Sequence, residues 1–382
     1  MRTFLIFSTL LFTSLLSFGQ CPNEIMFVQT QAEVDAFTST YPNCTMLERS
    51  LWVGTNAGSD ITNLNGLSQI THIGVSQGGY GGGLFIIDSP MLTSLNGLNN
   101  LQVIGGSLGV QNTGITNMEG LESLETIRGS LNQNNNNLIE NMIGLESLTS
   151  LERIELNELP ALVNLEGLES LEIIGGTIQL TDNANFSSFL GLQNVTTISA
   201  ALRITNCDNL NNLDEFDNVT TLGYLYLDQN DSLNSIQGLS NAVPENVFLQ
   251  LIIRNNPSLS DCAIQIICEN FDNPDPLVEV IIANNAGGCN NNQEVMDACL
   301  LTVNDLSVLI SANLFPNPVS DRLQIHVAEG IVFEKATLYS VLGEELFSTS
   351  EENVDCSQLA TGIYFVKVIT DHGAVTKKII KN

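Results

Sequence analysis

Few residues in this chain have the type and spacing that chemistry needs. A single histidine, His72, stands among the first 312 residues, so a Ser-His-Asp or Cys-His arrangement has one base to build on. Carboxylates recur at Glu122, Glu146 and Glu169, one per repeated phrase, rather than as the isolated facing pair a glycosidase requires. The glycine-rich stretch Gln77–Gly83 (QGGYGGG) does not join a strand to a helix as a phosphate-cradling loop must. The spacings C-x5-C from Cys262 and C-x9-C from Cys289 do not fit zinc, and no histidine lies near them. No D-x-[DN]-x-[DN]-G calcium loop occurs. These patterns name no catalytic residue, no metal and no cofactor, and an enzyme is not expected.

The eight cysteines read instead as structure. Cys21 and Cys44 bracket one N-terminal segment, and Cys262, Cys268, Cys289 and Cys299 cluster near the end of the repeats. In an exported chain such groups suggest disulfides. The expected pairs are Cys21–Cys44, Cys262–Cys289 and Cys268–Cys299, with Cys207 and Cys356 left free.

Export follows from residues 1–19, an apolar run after one arginine that ends Ser17-Phe18-Gly19, the pattern of a cleaved signal peptide. No later apolar stretch approaches the ~20 residues of a membrane helix, so no transmembrane segment is expected. Net charge is −30. Residues 20–312 hold 33 acidic side chains against five arginines and no lysine, a net charge of −28. That surface repels nucleic acid.

The order behind these residues is a repeat. "GLESL" begins at Gly120, Gly144 and Gly167, and Gly-Leu pairs recur at Gly66, Gly97, Gly191 and Gly238, degenerating to Glu215-Phe216. From Gly97 onward the interval is 23 or 24 residues; the first is 31 and contains the glycine-rich insertion. A fixed period of this size marks a solenoid. Each unit carries leucines at wide spacing, a glycine stop and a short alternating run such as Thr177-Ile-Gln-Leu-Thr, which reads as a strand with one buried face. Inward pairs are Leu84/Ile86, Leu108/Val110, Ile154/Leu156, Ile178/Leu180, Leu202/Ile204, Leu225/Leu227 and Leu251/Ile253. Asn-rich tips after the strands suit left-handed corners. Thr30 and Glu33 form a capping-box pattern for a short N-terminal helix bearing Val34 and Phe37.

Alignment of the coils puts one row outward as Phe85, Gly109, Asn132, Glu155, Gln179, Arg203, Tyr226 and Ile252, and a second as Ile87, Gln111, Asn134, Asn157, Thr181, Thr205, Asp228 and Arg254. Such varied chemistry, with an aromatic ring between planar guanidinium groups, suits recognition. The candidate ligand-binding residues are Tyr226, Arg203, Arg254, Asp228 and Gln179. The glycine-rich insertion is the fallback.

The run ITNLNGLSQI, LTSLNGLNNLQVIGGSLGV and ITNMEGLESLETIRGSL resembles the receptor L domain, the leucine-rich β-helical module of growth-factor-receptor ectodomains. The resemblance spans about residues 50–260 and implies a right-handed solenoid. It carries no furin-like region, membrane span or kinase, so a signalling receptor is not expected. The tail opens with Leu314-Phe-Pro316-Asn317-Pro318-Val and continues through Gly362 and Tyr364 to Lys377-Lys378-Ile-Ile-Lys. It resembles the type A sorting domain of the Bacteroidetes type IX secretion system. All five lysines of the chain lie in it. The resemblance implies a small Ig-like β-sandwich, engagement of the type IX machinery, and surface attachment or release.

The expected organisation is a signal peptide (1–19), an N-terminal cap (20–49), a mainly β solenoid (50–260), a cysteine-containing cap (261–300), a linker (301–312) and a sorting domain (313–382). The expected function is binding or adhesion to an extracellular protein or polysaccharide through the strand face. A structural spacer without ligand is the alternative, and an extracellular glycosidase a minor one.

Overall fold

The computed structural model describes residues 21–76, 79–244, 250–272, 279–301, 312–327, 332–341, 343–371 and 373–382. Residues 1–19, which read as a signal peptide, most of the 301–312 segment and Gln77–Gly78 of the insertion lie outside the described residues. The chain divides into two compact units, Met1–Cys299 and Leu300–Asn382.

The first unit is a parallel β-solenoid of about nine turns. Its main face runs from Met26–Val28 through Leu51–Gly54, Leu84–Ser89 and Leu108–Thr113 to Gln250–Arg254 and Glu279–Ala283, each strand parallel to the next. The sheet therefore begins inside the segment read as a cap, at Met26 rather than near residue 50. A second row of short strands, including Met46–Leu47, His72–Ile73 and Val103–Ile104, builds the adjoining wall. Long strands such as Thr126–Asn134 and Thr197–Thr205 cross from one wall to the other through register shifts after Ile127 and Ile198. The inward pairs named above are all buried, in one continuous core. One coil differs: Gln133 stands where its neighbours carry Val110 and Leu156, and accepts a hydrogen bond from Asn136 Nδ2 at 3.1 Å.

The repeated phrase has two local causes. Gly97, Gly120, Gly144, Gly167 and Gly191 turn with φ between 107° and 111°, a region closed to residues bearing a Cβ. They also touch the preceding coil. A Cβ on Gly144 would lie 2.2 Å from the Met118 carbonyl oxygen. The glutamate two residues on then satisfies the glycine amide: Gly120, Gly144 and Gly167 donate to Glu122, Glu146 and Glu169 at 2.8, 2.9 and 3.0 Å. Where the phrase degenerates, Asp214–Phe216 form a 3-10 turn that needs no left-handed residue. Phe216 then packs on Phe189 in the core.

The corner after each strand is a two-residue device. Asp88, Asn112, Asn135, Glu158, Asp182, Asn206, Gln229, Asn255 and Asn284 adopt left-handed backbone, φ 44–58°. The residue after each turns inward: Ser89, Thr113, Asn136, Leu159, Asn183, Cys207, Asn230, Asn256 and Asn285 are all buried. Asparagine at this inner position bonds to the coil before it. Asn136 accepts the Thr113 N–H at 2.9 Å and donates to the Val110 carbonyl at 2.7 Å. Asn230 and Asn256 do the same for Cys207 and Asn230, and Asn285 for Asn256. Half of the Asn-rich tips are thus not tips. They are core groups that satisfy backbone no strand pairs.

Both ends are covered. The helix Gln31–Thr40 starts at a capping box formed by Thr30 and Glu33 and buries Val34 and Phe37. At the far end, the helices Gln265–Asp272 and Asn292–Leu301 flank the last strand, Glu279–Ala283. Disulfides join Cys21 to Cys44, Cys262 to Cys289 and Cys268 to Cys299. Cys207 and Cys356 are free and buried.

The second unit has two antiparallel sheets. One orders Ala312–Phe315, Arg322–Val327 and Asn353–Asp355; the other orders Glu345–Thr349, Phe333–Ser340, Gly362–Thr370 and Gly373–Lys381. Val319, Leu323, Leu338, Val366, Val368 and Ile379 contribute to its buried core.

Candidate ligand-binding face

The strand registers bring the first outward row together. Trp52 pairs with Phe85, Phe85 with Gly109, Gly109 with Asn132, Asn132 with Glu155, Glu155 with Gln179, Gln179 with Arg203, and Arg203 with Tyr226. Phe27 extends it by one more coil. The row continues to Ile252, which is 5% exposed rather than open to solvent.

At the C-terminal half, four of the five candidate residues meet. Arg254 holds Asp228 through Nε at 3.0 Å and through a terminal nitrogen at 2.8 Å. The Tyr226 hydroxyl donates to the same carboxylate at 3.1 Å. Arg203 lies over the Tyr226 ring at 5.1 Å and Arg254 at 6.0 Å. Burial alone would raise the Asp228 pKa, but hydrogen bonds from Arg254, Asn255 and Tyr226 outweigh it and hold the carboxyl below its ordinary value. The same contacts raise the pKa of Arg254. Asp228 is 5% exposed, so this carboxylate is inside the cluster and not a surface contact. Arg203 donates to Gln250 at 3.3 Å instead of a carboxylate. Gln179 stands apart, donating to Asn157 at 3.4 Å. The cluster is largely satisfied within itself.

The N-terminal half of the row is different. Trp52 and Phe85 stack with centroids 4.3 Å apart and planes 26° apart, and Phe27 stacks on Trp52 at 6.4 Å. The row then falls to bare backbone at Gly109. Phe85 occupies the space beside it, so a Cβ on Gly109 would meet the ring at 2.8 Å. A cavity of about 360 Å³ opens there. Its aromatic side is Trp52 and Phe85, its floor includes Ser107, Gly109 and Ser130, and its polar side is Gln111, Asn132, Asn134 and Glu155. Asn132 donates to Glu155 at 3.0 Å and accepts from Asn134, which in turn accepts from Asn157 at 3.0 Å. Phe85, Gly109, Asn132 and Glu155 share the outward row read from the sequence but are not among its five candidate residues. The available signal was the glycine, because glycine in a strand interior marks a close approach.

The other reactive types are placed as structure. Cys207 fills an inner corner position, and burial pushes its thiol up to about 12. The buried Cys356 thiol is raised for the same reason. Of the fallback insertion, Val75–Ser76 and Gly79–Tyr80 form an antiparallel pair. No group of three His, Cys, Asp or Glu side chains among the described residues is spaced to hold a metal, and no described helix is long and apolar enough to cross a membrane.

In the second unit the tail motifs interlock. Asn317 donates to the Lys378 carbonyl at 3.0 Å and accepts the Ile380 N–H at 2.8 Å, so the Pro316-Asn317-Pro318 segment is pinned to the terminal strand that bears Lys377 and Lys378. Tyr364, two residues after Gly362, donates to the Ala360 carbonyl at 2.9 Å. Comparison with the curated proteins finds none that matches the chain. Residues 313–382 match the secretion system C-terminal sorting domain. The tail is therefore a type IX sorting domain, which directs the protein to the secretion machinery and to the cell surface or the medium.

Proposed function

We propose that the exported solenoid is a binding protein that holds its ligand on the strand face, and that it is not an enzyme. The cleft beside Gly109 carries this reading: a rigid aromatic wall facing a comb of amides, on a surface that export presents to the outside. Rigid rings and adaptable amides are the groups that recognition surfaces favour. Among the residues lining the cleft Glu155 is the one titratable group, and it is held by Asn132. Two-carboxylate hydrolysis needs a second. The resemblance of residues 50–260 to a receptor module agrees with a binding role.

The test is a screen of the exported protein against glycan and protein arrays, repeated with Trp52→Ala and with the double variant Tyr226→Ala/Arg203→Ala. Loss of the hit with Trp52→Ala alone supports the cleft, and loss with the double variant alone moves the site to the C-terminal cluster. No hit for any form favours a structural spacer.

A further inference from the structure

We infer that the cleft takes an uncharged, extended β-linked glycan, lying across the strands and along the row from Trp52 to Glu155. The inference rests on the binding reading above and specifies the ligand.

Geometry is the first argument. Neighbouring parallel strands lie about 4.8 Å apart, so the row presents one group per coil at nearly the length of one pyranose unit in an extended chain. A ligand running along the row meets ring, ring, bare backbone, amide and carboxylate in succession. Phe85 leans over Gly109, and the cleft is lined by that ring and by the Asn132 amide one coil further on.

Hydrogen-bond chemistry is the second. A carboxamide both donates and accepts, as a sugar hydroxyl does. Asn132 and Asn134 each use one amide N–H in the ladder to Glu155 and Asn132, which leaves each with a second. The aromatic side offers π-faces suited to the C–H face of a pyranose. Apolar and hydroxylated faces on one ring are what this cleft complements.

Charge is the third. Glu155 is the charged group among the lining residues, and residues 20–312 carry −28 with no lysine. An anionic polysaccharide is repelled by that field. A neutral chain is not.

The cleft is also built before any ligand arrives. Phe85 is wedged between Gly83 and Gly109, where a Cβ would meet the ring at 2.7 and 2.8 Å, and Trp52 is stacked upon it. Ordering these rings in the free protein reduces the entropy cost of binding.

Trp52 is the chain's single tryptophan, so its emission reports on this cleft directly. The experiment titrates the exported protein with cellohexaose and mannohexaose, with hexagalacturonate as the anionic control, following tryptophan emission. A saturable change with a neutral hexasaccharide is expected, and none with the anionic one. Phe85→Ala and Asn132→Ala should each bind about tenfold more weakly, the scale of one lost ring or amide contact. Tyr226→Ala should bind as the parent does. Asn132 is a half-buried surface side chain, so its variant keeps the test valid if Phe85→Ala fails to fold. Failure of both neutral sugars to saturate, or tighter binding of hexagalacturonate, overturns the inference. A protein hit from the array that perturbs Trp52 while the sugars do not would sink the glycan and leave the binding role standing. Neutral binding that ignores both Phe85→Ala and Asn132→Ala removes the cleft from the account.

Discussion

Asn183 and Leu159 occupy the same inner corner of neighbouring coils, and the Asn183 amide closes that corner from within. Its Oδ1 accepts the Leu159 N–H at 2.9 Å and its Nδ2 donates to the Leu156 carbonyl at 2.9 Å. Neither backbone group has water within reach, because Asn183 and Leu159 are fully buried. Replacing Asn183 by Ala strands both. Each buried unpaired group costs about 1–3 kcal/mol, so a loss of at least about 2 kcal/mol is expected in chemical denaturation. A loss below ~0.5 kcal/mol would show that the corner is not held this way.

Two glycines separate backbone freedom from close approach. Gly144 has φ 107° and no room, since the Met118 carbonyl lies 2.2 Å from where its Cβ would be. Gly58 has φ 84° and nothing within 4 Å. Gly58→Ala should cost about 1 kcal/mol from strain alone. Gly144→Ala must also push two coils apart and should cost about 3 kcal/mol or more. Equal melting temperatures for the two variants would contradict this account of the repeated phrase.

The two free thiols should be silent. Cys207 is fully buried with its pKa pushed up to about 12, and only the thiolate is nucleophilic. Ellman's reagent at pH 8 should therefore count no thiol in the folded protein and two after unfolding. Rapid labelling of native Cys207 would reopen a nucleophilic role for it.

Asp228 should tie stability to acidity. Its folded pKa lies below the ordinary 3.8, so its contribution is fully present above that value and fades as pH falls through the folded one. The stability difference between the parent and Asp228→Asn should be largest near neutrality and shrink as pH falls below 3.8. A difference independent of pH would mean that the Arg254 contact contributes nothing. Charge on Arg254 does not change in this range.

The tail should act as a separable address. Deleting residues 313–382 should leave the solenoid folded but held in the periplasm of a type IX-competent host, as fractionation would reveal. Normal delivery of the truncated protein would refute the assignment.

Much of the solenoid was legible because periodicity constrains it at every coil. Apolar pairs such as Leu202 and Ile204 or Leu225 and Leu227 can be buried only one way once the strand is aligned, and the Thr30–Glu33 capping box is local. The inner asparagines were harder. Asn135 and Asn136, or Asn255 and Asn256, are adjacent and of one type, yet the first makes the turn and the second enters the core. Composition cannot separate them; the alternation of direction along the chain does. The aromatic cleft is hard to read from spacing because Trp52 precedes the regular phrase and the insertion Gln77–Gly83 separates it from Phe85. At the other end, Tyr226 and Arg203 stand side by side as the strand alignment predicts, but pairing with Arg254 buries Asp228, which no spacing shows. The two cap helices, Gln265–Asp272 and Asn292–Leu301, lie beyond the last repeat, where the periodic signal stops.

The placement of the disulfides has a mechanical consequence. The helix Asn292–Leu301 follows the last strand of the solenoid, so tension applied through its C-terminal end reaches the last coil first. Stacked parallel strands peel one at a time when pulled from an end, because the load falls on one ladder of hydrogen bonds. Here the first ladder is not alone. Cys299 is bonded to Cys268 and Cys289 to Cys262, so the terminal helix, the last strand and the helix before it move as one covalent block. Force applied at this end must then break the contacts of the whole block with the coil beneath before the next strand is reached.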